Sequence, residues 1–143
     1  MNGSSSTAAE PVLIRGAAAL VTGMAGAASR SDATELRTAD GVIVELGRGL
    51  QPKPDERVLD AGDCVITPGW VNTHHHLFQS LLKGVPGGTD LTLMPWLQAV
   101  PYRHRGAFDE ATLRLAVRGV LVELLLSGCT TVADHHYLYH PQM

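Results

Sequence analysis

The sequence contains no apolar run approaching the roughly 20 residues that a membrane-spanning helix needs, so the membrane is not expected as a partner. It carries only two cysteines, and neither lies in a Cys-x-x-Cys pair. A disulfide framework is thereby excluded, and a reducing compartment, the cytoplasm, is the expectation. No charge of one sign dominates: 11 Lys and Arg against 14 Asp and Glu leave a net charge of −3. That balance removes the electrostatic case for nucleic acid as a partner. With 45% apolar and 17% charged residues the chain has globular composition, which excludes wholesale disorder. Phenylalanine is scarce, at two residues. The first ten residues have neither a basic cluster nor an apolar core, so residues 1–10 read as a flexible tail. Against these absences stand fifteen glycines and seven histidines, three of them consecutive.

Residues 11–67 read as a series of short strands with glycine turns. Val12–Ile14, Ala19–Thr22, Gly41–Gly47, Arg57–Asp60 and Cys64–Thr67 are the predicted strands. Gly23–Ser31 is small and flexible and reads as a loop. The run Gln51-Pro52-Lys53-Pro54 cannot be helix interior, because proline lacks the N–H and restricts its predecessor. The pattern changes at Pro68-Gly69. Trp70–Thr73 is a predicted strand, His76–Lys83 a helix stopped by Gly84, and Leu93–Val100 a short helix containing Trp96. The strongest helix spans Asp109–Ser127, with Asp109 as N-cap and a stripe of Leu113, Val117, Leu121 and Leu124. Leu115, Val122 and Leu126 widen its apolar surface, which predicts burial on more than one side. Cys129–Ala133 is a further strand. Both cysteines read as small buried hydrophobes.

Strand, helices, strand is a crossover unit, which pairs its strands in parallel. One such unit wants cover on both faces and neighbours on both edges. The expectation is that the chain is the N-terminal part of a longer α/β protein; a small protein whose sheet is completed by another chain is the alternative.

Chemistry concentrates in Asn72-Thr73-His74-His75-His76, at the end of a strand. Side chains alternate faces along a strand, so His74 and His76 point one way and His75 the other. Two imidazoles about 7 Å apart at Cα on one face can converge on one metal ion. A random His-x-His is more often polar decoration of a strand end. Here the pair follows a Pro-Gly and leaves a buried apolar strand, which is where α/β barrels place active sites. His75 is given a packing or supporting role. Asp134, at the end of the second strand, reads as a hydrogen-bonding support rather than a catalyst.

The segment Val65-Ile66-Thr67-Pro68-Gly69-Trp70-Val71-Asn72-Thr73-His74-His75-His76 resembles the N-terminal metal motif of the amidohydrolase superfamily. The likeness continues through Phe78–Leu81, Met94–Leu97, Glu123–Thr131 and Asp134–Tyr139. It is strongest to the branch containing 8-oxoguanine deaminase, hydroxydechloroatrazine ethylaminohydrolase and atrazine chlorohydrolase. The resemblance implies the start of a (β/α)8 metal-dependent hydrolase barrel over residues 68–143, preceded in residues 11–67 by part of a small β-sandwich. The barrel would be incomplete in this chain. It implies one divalent metal ion, zinc before iron, with His74 and His76 as ligands. It also implies that Gln79 borders the substrate pocket, although an ordinary surface role for Gln79 is equally open. Trp96 could wall the pocket against a planar ring or serve as a core anchor. No catalytic acid or base is assigned within the chain; those residues are expected beyond Met143.

The implied activity is hydrolytic deamination of a purine-like or s-triazine heterocycle, a small-molecule partner, with homo-oligomerisation of the complete protein left open. Loss of chloride or alkylamine from an s-triazine is the alternative, and a non-catalytic structural homologue the second. A histidine-rich metal-handling protein is disfavoured because the histidines occupy strand context. The base-flipping zinc deaminases carry His-x-Glu and Pro-Cys-x-x-Cys, and neither occurs here.

Overall fold

The computed structural model describes residues 9–138. The flexible tail expected over residues 1–10 therefore lies almost wholly outside the described residues; Ala9 and Glu10 are exposed and without regular structure. The chain divides into two compact units, residues 1–68 and 69–143.

The first unit is built of short strands in mixed sheets. These are β1 (Val12–Arg15), β2 (Ala19–Val21), β3 (Arg30–Ser31), β4 (Glu35–Ala39), β5 (Val42–Gly47), β6 (Arg57–Asp60) and β7 (Val65–Ile66). One sheet has the order β5-β4-β1-β6, the other β3-β2-β7. Strand β1 runs antiparallel to β4 and parallel to β6, while β2 runs antiparallel to β3 and parallel to β7. Leu13, Ala17, Leu20, Leu36 and Ala61 are its buried apolar residues.

Strand β4 is absent from the sequence reading, and its chemistry explains why. Glu35 and Arg37 flank Leu36, and all three are buried. A charged-apolar-charged run suggests a solvated loop unless the charges are paired. Here they are. Arg37 Nε donates to Glu56 Oε1 at 2.5 Å, Nη2 donates to the Gln51 carbonyl at 2.7 Å, and Nη1 pairs with Glu45. Glu35 accepts the Leu50 backbone N–H at 2.5 Å. The Asp40-Gly41 turn was the available signal: both residues have positive φ, 50° and 77°, and Ala39 pairs with Val42 across them. That is a two-residue hairpin, whose twist suits Asp-Gly. Two expectations are corrected here. Gly23–Ser31 is not all loop, since it holds a 3-10 turn at Gly26–Ser29 and leads into β3. Cys64 is exposed, as is its neighbour Val65 at the start of β7; Cys129 is buried as expected.

In the second unit β8 (Trp70–His75) pairs in parallel with β9 (Cys129–Asp134). The crossover between them carries a 3-10 segment Leu77–Leu82, a 3-10 turn Pro86–Gly88, α1 (Leu93–Leu97) widening into a π turn over Gln98–Tyr102, a 3-10 turn Arg105–Ala107, and α2 (Glu110–Leu126). Asp109 caps α2 as expected. Its carboxylate accepts the Thr112 N–H at 2.8 Å, and the Thr112 hydroxyl accepts the Asp109 N–H at 2.9 Å. The helix ends at Gly128, in the left-handed region at φ 83°.

Burial of α2 differs from the expectation. Ala116 and Val120 are its buried residues, whereas Leu115, Val122, Leu125 and Leu126 are exposed. The helix packs mainly on the 3-10 segment and β9, with Leu113 against the core, and leaves Leu115, Val122, Leu125 and Leu126 open. The core of this unit lies instead around Phe78, Leu82, Val100, Phe108 and Leu138, with Trp96, Leu113 and Tyr137 packed against it. Phe78 and Phe108, the only two phenylalanines, meet edge-on at 5.5 Å. Gly69 sets the start of β8: a Cβ there would lie 2.7 Å from Thr130 Cβ, so the backbone comes close to β9 only because no side chain intervenes.

Candidate metal centre

Parallel pairing brings the C-terminal ends of β8 and β9 to one edge. The register there is irregular: Asn72 pairs with Val132 and His75 with Asp134, so β8 carries one extra residue. This bulge re-aims the strand end. Asn72 Oδ1 accepts the His74 backbone N–H at 3.0 Å. His76 follows the strand at φ −128° and ψ 87°, outside the regular extended region.

His74 and His76 converge. Their Nε2 atoms are 3.3 Å apart, and the rings stand nearly perpendicular at a centroid distance of 5.1 Å. His76 Nδ1 lies 2.6 Å from the His135 carbonyl oxygen. A carbonyl only accepts, so Nδ1 carries the proton and the neutral ring keeps its lone pair on Nε2. That is the state a ligand imidazole needs, with its other N–H held by a carbonyl. The spacing fits too: tetrahedral coordination with bonds of about 2.0–2.1 Å separates two ligand nitrogens by roughly 3.3–3.4 Å. The pair therefore suits a zinc-like ion. Among the described residues no group of three or more His, Cys, Asp or Glu side chains converges to hold one, so this pair could supply two of the about four ligands such an ion takes.

The surrounding groups support this pair. His135 lies 4.6 Å from His74, ring to ring, and its Nε2 donates to the Thr73 carbonyl at 3.1 Å. Asp134 Oδ1 accepts the Leu77 backbone N–H at 3.0 Å, a supporting bond of the kind expected for it. Its other oxygen lies 3.8 Å from His136 Nδ1. His75 makes no ring contact with His74 or His76, and its Nδ1 is buried without a hydrogen-bond partner.

Beside the pair opens a cavity of about 550 Å³, lined by all three histidines, Gln79, Lys83 and Trp96 among others. Gln79 thus borders the cavity, and its Nε2 donates to Tyr137 Oη at 2.5 Å. Trp96 lines this cavity and is also packed against the core. Tyr137 stands edge-on to His76 and to Phe78, each at 5.1 Å. Burial pushes its phenol above the usual range, opposed by the Gln79 bond. The sequence assigned no role to Tyr137. Its only signal was a place in the Asp134–Tyr139 stretch that resembles the family.

The Amidohydrolase family profile matches residues 65–143, more than half of the chain. The chain belongs to the amidohydrolase family. This amidohydrolase chain is 57% identical over 134 residues to an isoxanthopterin deaminase from an unknown prokaryotic organism, covering 92% of the chain and 28% of the relative. It is 47% identical over 102 residues to 8-oxoguanine deaminase of Pseudomonas aeruginosa, covering 70% of the chain and 22% of the relative. Among solved structures, the atrazine chlorohydrolase of Arthrobacter aurescens TC1, complexed with zinc, superposes with a TM-score of 0.72 at 31% identity, covering 87% of this chain and 28% of that one. The amidohydrolase chain thus spans about a quarter of the length of the proteins it matches. Among its described residues no helix is long and apolar enough to cross a membrane.

Proposed function

We propose that the complete protein containing this chain is a metal-dependent hydrolase that deaminates a fused, purine- or pterin-like heterocycle. The observation that carries this reading is the 3.3 Å approach of His74 Nε2 and His76 Nε2 at the rim of a cavity bordered by Gln79 and Trp96. Supporting it is the similarity to an isoxanthopterin deaminase and an 8-oxoguanine deaminase. In this reading β8 and β9 are the first two strands of a (β/α)8 barrel, residues 68–143, and residues 11–67 are part of a β-sandwich.

When bound, the ion supplies a Lewis acid that makes a hydroxide nucleophile accessible near neutral pH. The residues of this chain hold and orient. His74 and His76 donate Nε2 lone pairs, and the His135 carbonyl fixes the His76 tautomer by holding the proton on Nδ1. In this reading Gln79 and Trp96, which border the cavity, are the residues that would meet the substrate, the amide at its ring edge and the indole as an apolar wall. The carboxylate that must move a proton to the departing amine is assigned to no residue of this chain.

Loss of chloride from an s-triazine is the second reading, favoured by the likeness to the zinc-bound chlorohydrolase. The test is release of ammonia from an amino-oxopurine and an amino-oxopterin, and of chloride from a chloro-s-triazine, by the purified complete protein before and after chelation. Metal-dependent ammonia release is expected. Chloride release alone would favour the second reading, and release of neither would overturn both.

A further inference from the structure

We propose that Tyr137 is a positioning residue that fixes the Gln79 amide, leaving one donor and one acceptor on it for a heterocycle edge carrying an adjacent N–H and C=O. This deepens the deaminase reading above and rests on it for the substrate class.

Gln79 sits in the 3-10 segment directly after the histidines and borders their cavity. Left alone, so long a side chain has many rotamers, and ordering it would weaken substrate binding. Tyr137 removes that freedom. Its ring is packed against the core cluster of Phe78, Leu82 and Val100, and it meets Phe78 and His76 edge-on. Its own position is therefore set by apolar contacts and by the ring of a candidate ligand. From there Oη takes one of the two Nε2 protons of Gln79. Among the described residues no other hydrogen bond engages the Gln79 amide. What remains is one N–H and Oε1.

A ring edge with one acceptor and one donor satisfies both remaining groups. An analogue whose ring nitrogen is methylated leaves Oε1 without its donor, and sites built on such pairing reject analogues that leave a polar group unmatched. Tyr137 should therefore govern discrimination between a free and a methylated ring N–H, through Gln79 and without touching the reacting atoms.

The experiment uses the complete protein as wild type, Tyr137→Phe, Gln79→Ala and the double variant. An amino-oxopurine and its N-methylated counterpart are the substrates. Tyr137→Phe keeps the ring and removes the hydroxyl. It should raise KM for the free N–H substrate about tenfold, change kcat less than about threefold, leave metal content intact and shrink the preference over the methylated analogue. In the Gln79→Ala background it should add nothing. A wild-type KM in Tyr137→Phe, or losses that multiply in the double variant, would overturn the proposal. Side-chain amide resonances of Gln79 in glutamine-labelled protein, assigned by their loss in Gln79→Ala, judge the pair without any turnover. They should move in Tyr137→Phe, and an unmoved pair of signals overturns the Tyr137–Gln79 bond. If the amide shifts but wild-type protein turns over neither substrate, the deaminase reading fails together with the substrate class, while the positioning contact stands.

Discussion

Asp134 Oδ1 accepts the backbone N–H of Leu77 at 3.0 Å, joining the end of β9 to the first residue after His76. The bond bridges 57 positions of sequence and fixes the chain where it leaves β8 for the 3-10 segment. His76 therefore has its backbone held on the Leu77 side and its ring held by the His135 carbonyl. Asp134 and His135 are consecutive, so one strand end steers one candidate ligand twice.

Replacing Asp134 with Ala should loosen that steering without removing a ligand. Metal affinity of the complete protein should fall roughly 10- to 100-fold, the range for groups that orient ligands. Asp134→Asn keeps an acceptor oxygen and should retain most of the affinity. Competition against a chromogenic chelator separates the two variants. Equal losses in both would mean that the charge of Asp134, rather than its bond to Leu77, is what matters.

Acid should weaken the first unit through Glu56. The hydrogen bond from Arg37 holds the Glu56 carboxyl below its ordinary range. A carboxyl whose folded pKa is depressed contributes stability above its unfolded value and loses it as pH falls through the folded value. Asp109 behaves likewise, held down chiefly by its bonds to Thr112. Both contributions should be intact above about pH 5 and decline below about pH 4. Melting temperature followed from pH 7 to 3 should show that decline in wild type and a shallower one in Glu56→Gln.

Gly69→Ala should destabilise the second unit, because the new methyl group meets Thr130 on β9. A cost of about 1–3 kcal/mol is expected, as for other overpacked sites. Thr130→Ser in the same protein should recover part of it by removing a methyl from the contact. Urea midpoints of the complete protein read both effects.

How much of this was written in the sequence depends on which physical signal each element used. The His-x-His pair was legible as a motif, but strict alternation is not what brings it together: β8 ends at His75 with a bulge before it, and all three histidines line the cavity. Helix α2 announced itself through Asp109, its apolar period and Gly128. Its stripe holds in part: Leu113, Val117 and Leu124 are half-buried around the fully buried Ala116 and Val120, whereas Leu121 and the residues expected to widen the surface, Leu115, Val122 and Leu126, are exposed. Strand β4 was hidden by Glu35 and Arg37, whose partners Leu50, Glu45 and Glu56 lie 8 to 19 positions away. The same distance problem concealed Tyr137. Nothing near residue 137 in sequence reveals that its hydroxyl reaches Gln79, 58 positions earlier.

The most direct measurement is zinc stoichiometry in the complete protein with His74→Ala, His75→Ala and His76→Ala. Removing either His74 or His76 takes one of two converging Nε2 donors from an ion that needs about four ligands, so occupancy should fall steeply in both. His75→Ala should retain the ion, with at most the roughly 10- to 100-fold weakening of a supporting group. Full zinc occupancy in either the His74 or the His76 variant would contradict the assignment of this strand end as a metal centre.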